Sequence, residues 1–445
     1  MNAGQFKASL ADPAPSADLP SPLAALWWDA KGDWSQAHSL VDELETVDGM
    51  AVHAYLHRKE GSNSNADYWY HRAGRNFQRP TLDAEWTALV EGLLSRAAKA
   101  RGTPAKVPKK IPPTILKKTL SGKIALVAGA TRGAGRGIAV ALGEAGATVY
   151  CTGRSSRKQA HGEPPTPGRP ETIEETAERV TAAGGRGIAV RVDHTEPAEV
   201  RKLIARIKLE HKGLDILVND VWGGDPLTEF GKPFWKVNLD NGLRMLKQAI
   251  HSHIITSHYA IPLMFGRRAP ILFEITDGDA FYYRGNIFYD LVKISVIRLA
   301  FAMARELRKR DIVSVALTPG FLRSEAVLEH FGVSEANWKD VGQKKKKNSK
   351  DQNDSADDFM VSESPRFIGR AVVALATDPR VKRKTGRVFS SWALAREYHF
   401  TDLDGSQPHW GNHAKNKYGK YKTCDEQFYS YWVPGLVELI FPDWF

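Results

Sequence analysis

The chain has 445 residues, 42% of them hydrophobic and 25% charged, ordinary globular values that exclude wholesale disorder and leave room for roughly two or three domains at ~150 residues each. Two cysteines, Cys151 and Cys424, are too few for a disulfide framework. No apolar run approaches the roughly 18 residues a bilayer span needs, and the start lacks a signal-type apolar core, so a reducing, cytoplasmic setting is expected. The formal net charge is +11, but the basic excess gathers in two loop-like tracts, 99–118 and 344–350, rather than on one helix or sheet face. Nucleic acid is therefore not an expected partner.

Residues 1–22, rich in Ala, Pro and Ser, read as a flexible N-terminus. From 23 to 98 apolar residues recur at spacings of three and four, the helical period. Two stretches look alike. Trp28, Gly32 and Trp34 precede Ala37, and Tyr55 and Gly61 precede Ala66, Tyr68 and Tyr70. In each, a helix ends at a glycine and a second follows with small and aromatic residues on one face. This resembles a pair of degenerate tetratricopeptide-type hairpins, fewer than the roughly three repeats a solenoid usually needs. Such a module is expected to pack on itself or on the next domain, or to receive a protein partner. Residues 99–119, basic and proline-rich, read as a linker.

After the linker, short Val/Ile/Leu runs alternate with helical segments, the texture of βα units around a parallel sheet. The predicted strands are 124–128, 148–151, 188–192, 216–218, 271–275, 313–317 and 388–389. Thr172 and Glu175 form a capping box whose helix stops at Gly184 and Gly185. Ser364 and Pro365 open the last helix of this region as a cap with proline at the first position. Residues 342–360, which include four consecutive lysines from Lys344 and a run of aspartates, read as a disordered insertion. Residues 401–445 lose the βα rhythm but carry Tyr429, Tyr431, Trp432, Phe441, Trp444 and Phe445, and read as an extension packed on a body or partner.

The first strand runs into Gly129, Thr131, Arg132, Gly133 and Gly135 before a helix. Glycine permits the tight turn and lets a pyrophosphate approach the helix start, where unpaired N–H groups and the dipole favour an anion. The second strand ends in Arg154, Ser155 and Arg157, where an NAD site commonly places a carboxylate on the ribose 2′-hydroxyl. Guanidinium groups there match a 2′-phosphate, so NADP(H) is preferred and NAD(H) is the second choice.

Tyr289 and Lys293 stand four apart on a helical segment and share one face. A phenol with pKa ≈ 10 beside an ammonium is drawn toward working pH and can trade a proton with a carbonyl or alcohol oxygen. Their order is informative: after the glycine turn, after the fifth strand, and before Pro319 and Gly320 on the sixth.

The G-x3-G-x-G turn, the Tyr-x3-Lys pair and this order resemble the short-chain dehydrogenase/reductase family over about residues 120–400. The resemblance implies a doubly wound Rossmann-type α/β domain of about seven parallel strands, here preceded by the small all-α helical-hairpin domain. It further implies Asp193 near an adenine, Asn219 closing the fourth strand, Pro319 and Gly320 beside a nicotinamide, and a homo-oligomer. The family's Asn-Asn-Ala-Gly run is here Asn219, Asp220, Val221, Trp222 and Gly223. Its substrate-binding serine is absent. Thr276 can make the same donation and is preferred over Asp277, which could donate only when protonated. Asn238 and Asn241 stand in the region of the family's relay asparagine. The sequence around Trp222, Glu274 and Trp392 is similar to a mammalian subgroup linked to steroid and xenobiotic carbonyls.

His251, His253 and His258 show no ligand spacing, and His409 and His413 lack a nearby carboxylate or cysteine, so no metal is expected. Cys151, within a strand, reads as a small core residue. The expected function is an NADP(H)-dependent oxidoreductase moving hydride between nicotinamide and a carbonyl or secondary alcohol. The alternative is an NADP-binding scaffold or sensor that turns over little and recruits a protein through its helical module.

Overall fold

A computed structural model describes residues 3–16, 18–41, 44, 46–74, 80–102, 118–157, 169–342, 354–419 and 423. The chain divides into two compact units, residues 1–112 and 113–445.

The first unit is helical: α1 (Ala3–Ala8), α2 (Ser21–Ala30), α3 (Trp34–Ser39), α4 (Val47–Lys59), α5 (Asn63–Arg72) and α6 (Leu82–Gly102). Asp33 and Thr46 cap α3 and α4 by accepting backbone N–H bonds, and the turns after α2 and α4 pass through Gly32 and Gly61 at positive φ. Phe6, Trp27, Val52, Leu56 and Leu89 form its core. Here the structure corrects the expectation of a flexible terminus over 1–22. The Phe6 ring is fully buried and packs 6.1 Å from Trp86, a burial that contributes roughly 2–3 kcal/mol and holds α1 against the unit. Of the expected linker 99–119, residues 99–102 continue α6 instead, and residues 103–117 lie outside the described residues.

The second unit alternates β1 (Ile124–Ala128), α7 (Gly133–Glu144), β2 (Thr148–Gly153), α8 (Ile173–Ala182), β3 (Arg186–Arg191), α9 (Pro197–His211) and β4 (Ile216–Asn219). It continues with α10 (Leu239–Leu246), a π-turn over Lys247–His251, α11 (Ser252–Ala260), β5 (Ile271–Ile275), α12 (Ile287–Glu306) and β6 (Val313–Thr318). Then follow α13 (Glu325–His330), α14 (Asp354–Met360), α15 (Pro365–Thr377), β7 (Val388–Ser390), α16 (Ser391–Tyr398) and α17 (Trp410–Tyr418). The seven strands pair in parallel in the order β3-β2-β1-β4-β5-β6-β7.

Strands β1, β4, β5 and β6 are buried along their whole length, as continuous apolar runs covered on both faces must be. Alternate side chains feed two cores. Ala125 and Val127 pack with Ile138 and Val372 on one face, while Leu126 packs with Leu203, Leu217 and Leu272 on the other. Helices α7 and α15 approach closely because a Cβ on Gly137 would stand 1.9 Å from the Pro365 carbonyl oxygen. Thr172 and Ser364 make the expected cap bonds, to Glu175 N and Arg366 N.

The expectation of disorder over 342–360 is corrected in its second half. Residues 354–360 form α14, and Phe359, fully buried, packs against Phe331 and Trp338. The lysine run and the aromatic residues from Tyr429 onward lie outside the described residues. Among the described residues no helix is long and apolar enough to cross a membrane.

Candidate active site

The strand order reverses between β1 and β4, and the crevice outside the carboxyl ends of a parallel sheet at such a point is where ligands bind. A cavity of about 870 Å3 opens there. Gly129, Thr131, Arg132 and Gly133 line one wall, Arg154, Ser155 and Asp193 one end, and Thr276, Asp277, Tyr289, Lys293, Pro319 and Gly320 the other.

The glycine turn fits a dinucleotide. Gly129 holds φ +95°, and a Cβ there would meet the Asp220 carbonyl oxygen at 2.3 Å, so only glycine gives this turn. At the start of α7 the Gly133 N–H donates to Glu325 Oε2 over 2.8 Å, so a carboxylate already caps the helix terminus that a pyrophosphate would use. Removing that charge with Glu325→Gln is expected to tighten NADPH binding about 3–10-fold, read by calorimetric titration. A weaker-binding variant would mean that Glu325 supports the site rather than competing for it.

Gly135 stands outside the lining. A Cβ there would clash with Gly129 O and Asp220 Oδ2, so it serves the packing behind the turn. Asn219 closes β4, as expected, and stands outside the cavity lining. Fully buried, it donates through Nδ2 to Ser257 Oγ and Glu274 Oε1, within a network closed by the 2.6 Å contact of Glu274 with His253. The neighbouring Asp220 lines the cavity instead, with burial pushing its carboxyl up to about 7. Arg157 is exposed and paired with Glu178, which leaves Arg154, 3.9 Å from Asp193, as the cation with Ser155 at that end.

At the other end, Asn286 caps α12 by accepting from Phe288 N and Tyr289 N, which fixes the helix start carrying Tyr289. Thr276 and Asp277 both line the cavity, with different partners. The Thr276 hydroxyl donates to the Lys293 carbonyl over 2.8 Å, whereas the Tyr289 hydroxyl donates to Asp277 Oδ2 over 2.7 Å. The expected lowering of the phenol is reversed. Burial raises the Tyr289 pKa well above its ordinary value, and Asp277 adds to the shift. Lys293, half-buried on the cavity wall, is lowered by desolvation against the opposing pull of Asp277, Asp220 and Asp225. Its Nζ stands 4.2 Å from the Trp222 ring centroid and 5.4 Å from that of Tyr289.

Asn238 is committed to capping α10 by accepting from Asn241 N, and neither asparagine lines the cavity. Gln248 does, from the π-turn, with its Oε1 buried and without a hydrogen-bond partner among the described residues. Nothing in the local sequence announces that extra-wide turn, which shifts the face a helical reading assigns.

Glu363, missed in the sequence, supports the Pro319–Gly320 loop by accepting from Gly320 N over 2.8 Å and from Ser391. Burial pushes its carboxyl up from 4.5 to about 8. An acid raised in the folded state contributes stability that is complete below pH 4.5 and lost as pH rises through about 8. Glu363→Gln should therefore gain on the wild type between those pH values, by a few kcal/mol at about most, with a constant gap above. A parallel pair of melting curves across pH 5–9 would contradict this.

A short chain dehydrogenase family profile matches residues 123–331. Mouse dehydrogenase/reductase SDR family member 1 is 34% identical over 289 residues, 64% of this chain and 85% of the relative. The human protein of that name is 32% identical over the same shares. A short chain dehydrogenase from Mycobacterium thermoresistibile superposes with a TM-score of 0.52 at 23% identity, covering 66% of this chain and 92% of that one, a likeness of fold.

Proposed function

The chain belongs to the short-chain dehydrogenase/reductase family and is an oxidoreductase, and from that premise we propose that it uses NADP(H) to interconvert a carbonyl and a secondary alcohol, with Tyr289 as acid/base. The observation that carries this reading is one cavity lined by the glycine turn, by Arg154 and Ser155, and by Tyr289 with Lys293. When bound, the nicotinamide supplies or accepts the hydride, the chemistry that the protein itself lacks.

The chain's own residues bind and handle the proton. Gly129, Thr131, Arg132 and Gly133 would cradle the pyrophosphate, Arg154 and Ser155 the 2′-phosphate, and Asp193 the adenine end. Pro319 and Gly320 would border the nicotinamide. Lys293 would hold the ribose, its charge kept by the three nearby aspartates. Tyr289, kept protonated by burial and Asp277, would turn its O–H to the substrate oxygen and protonate it as the carbonyl is reduced. Gln248 would take the place of the family's relay asparagine. Trp222, Tyr282 and Phe331 give the cavity aromatic walls, which suits a bulky apolar carbonyl compound. Exposed Leu239 and Leu243 on α10 and Leu291 on α12 suit a second copy of the chain. The helical unit remains the surface proposed for a protein partner.

The cofactor assignment is tested by titrating NADPH and NADH into wild type and Arg154→Ala. NADPH should bind tighter to the wild type, and the variant should lose about 10–100-fold for NADPH alone, the worth of a charge-assisted phosphate contact. Equal affinity of the wild type for both nucleotides would remove the 2′-phosphate argument.

The scaffold reading keeps one supporting observation, the Tyr289 hydroxyl already held by Asp277. Cofactor binding without tyrosine-dependent turnover of aldehydes, diketones or ketosteroids would favour it.

A further inference from the structure

In the helical unit, α3 and α4 bring together three side chains that the reductase chemistry does not use. His38 comes from α3, and His53 and His57 stand one turn apart on α4. Their Nε2 atoms lie 2.8 Å (His38–His53), 3.0 Å (His53–His57) and 3.4 Å (His38–His57) apart. The ring centroids are farther apart, 4.5, 4.7 and 5.0 Å for the same pairs, so all three rings turn their Nε2 edges toward one point. Each neutral ring nitrogen presents either an N–H or a lone pair. Among three mutually facing nitrogens at least two must present the same thing, whichever tautomers are chosen. A hydrogen-bonded triangle therefore cannot be matched, whereas three lone pairs around a cation can.

The dimensions suit such a cation. A triangle of these sides has a circumradius of about 1.8 Å, inside the ~2.0–2.1 Å Zn–N bond, so an ion about 1 Å off the plane makes three bonds of ordinary length. The surroundings point the same way. Glu60 Oε1 lies 2.6 Å from His57 Nδ1, an outer carboxylate that holds the proton on Nδ1 and leaves the Nε2 lone pair facing inward. Trp34 stacks on His38 at 4.5 Å and Trp69 on His53 at 4.2 Å, walls that fix the rings and limit water.

We propose that His38, His53 and His57 bind one divalent transition-metal cation, Zn2+ foremost, through their three Nε2 atoms, with water in the fourth position. An all-imidazole set suits zinc and its later first-row neighbours rather than Mg2+ or Ca2+. The ion would clamp α3 to α4.

The test uses the full-length, untagged chain stripped with a chelator. Calorimetric titration with Zn2+ should show one ion per chain at micromolar affinity or tighter, and Co2+ should give the intense visible absorption of a four-coordinate site. Zn2+ should raise the melting temperature of the helical unit. Glu60→Gln, which leaves the three rings in place, should keep the fold by circular dichroism and weaken binding about 10–100-fold. His53→Asn combined with His57→Asn should abolish it. No stoichiometric binding to the wild type, binding that survives in the double variant, or an unchanged affinity in Glu60→Gln would overturn the proposal.

Discussion

Replacing Tyr289 with phenylalanine is expected to lower turnover at least about 1,000-fold while NADPH affinity stays within about threefold of the wild type. The half-buried ring meets Trp222, at 5.3 Å, and Phe230, at 5.6 Å, edge to face, contacts that phenylalanine keeps. What disappears is the phenolic O–H one helical turn from Lys293, together with its bond to Asp277. Because burial and Asp277 raise this phenol, it carries its proton through neutral pH and beyond, and carbonyl reduction should show no loss from tyrosine ionisation up to about pH 9. Steady-state rates with NADPH and a ketone panel, beside fluorescence titration of the cofactor, check both halves. A Tyr289→Phe protein that retains a tenth of wild-type turnover would show that another group moves the proton.

The second large effect is expected from Gly129→Ala. A methyl group at that position would stand 2.3 Å from the Asp220 carbonyl oxygen and 2.9 Å from Val221 N, contacts against backbone that no rotamer change relieves. The left-handed φ of +95° adds strain for any residue with a Cβ. The turn between β1 and α7 must then shift, and with it the N–H groups that would face the pyrophosphate. NADPH affinity should fall at least about 30-fold, with a stability loss of roughly 2–4 kcal/mol. Calorimetry and chemical denaturation separate the two. Wild-type affinity in Gly129→Ala would mean that the pyrophosphate does not use this turn.

The sheet was legible in the sequence because parallel strands covered on both faces must be apolar end to end. Ile124–Ala128 and Ile271–Ile275 have the predicted bounds, and the other strands differ by one or two residues. The glycine turn and the Tyr289–Lys293 pair were legible because tight turns and helical spacing are local properties. What the sequence hid depends on partners distant along the chain. Thr276 and Asp277 both follow β5, and only the packing of α12 decides which of them meets the phenol. Asn219 matched a motif position yet turns inward, toward Glu274. The π-turn carrying Gln248 leaves no local trace. Phe6 looked like part of a loose terminus because its partner, Trp86, lies eighty residues away. The histidines come from two different helices, α3 and α4, so their convergence is a tertiary fact that spacing alone does not announce.

If the proposed chemistry holds, this cavity brings a nicotinamide ring to the Tyr289 hydroxyl. The measurement that addresses it most directly is a crystal structure of the full chain with NADPH. Nicotinamide C4 is expected within about 5 Å of the Tyr289 hydroxyl oxygen, with pyrophosphate oxygens on the Gly129–Gly133 turn, close enough for a substrate carbonyl to bridge ring and phenol. A nicotinamide seated away from Tyr289, or a cofactor bound outside the β1/β4 crevice, would contradict it.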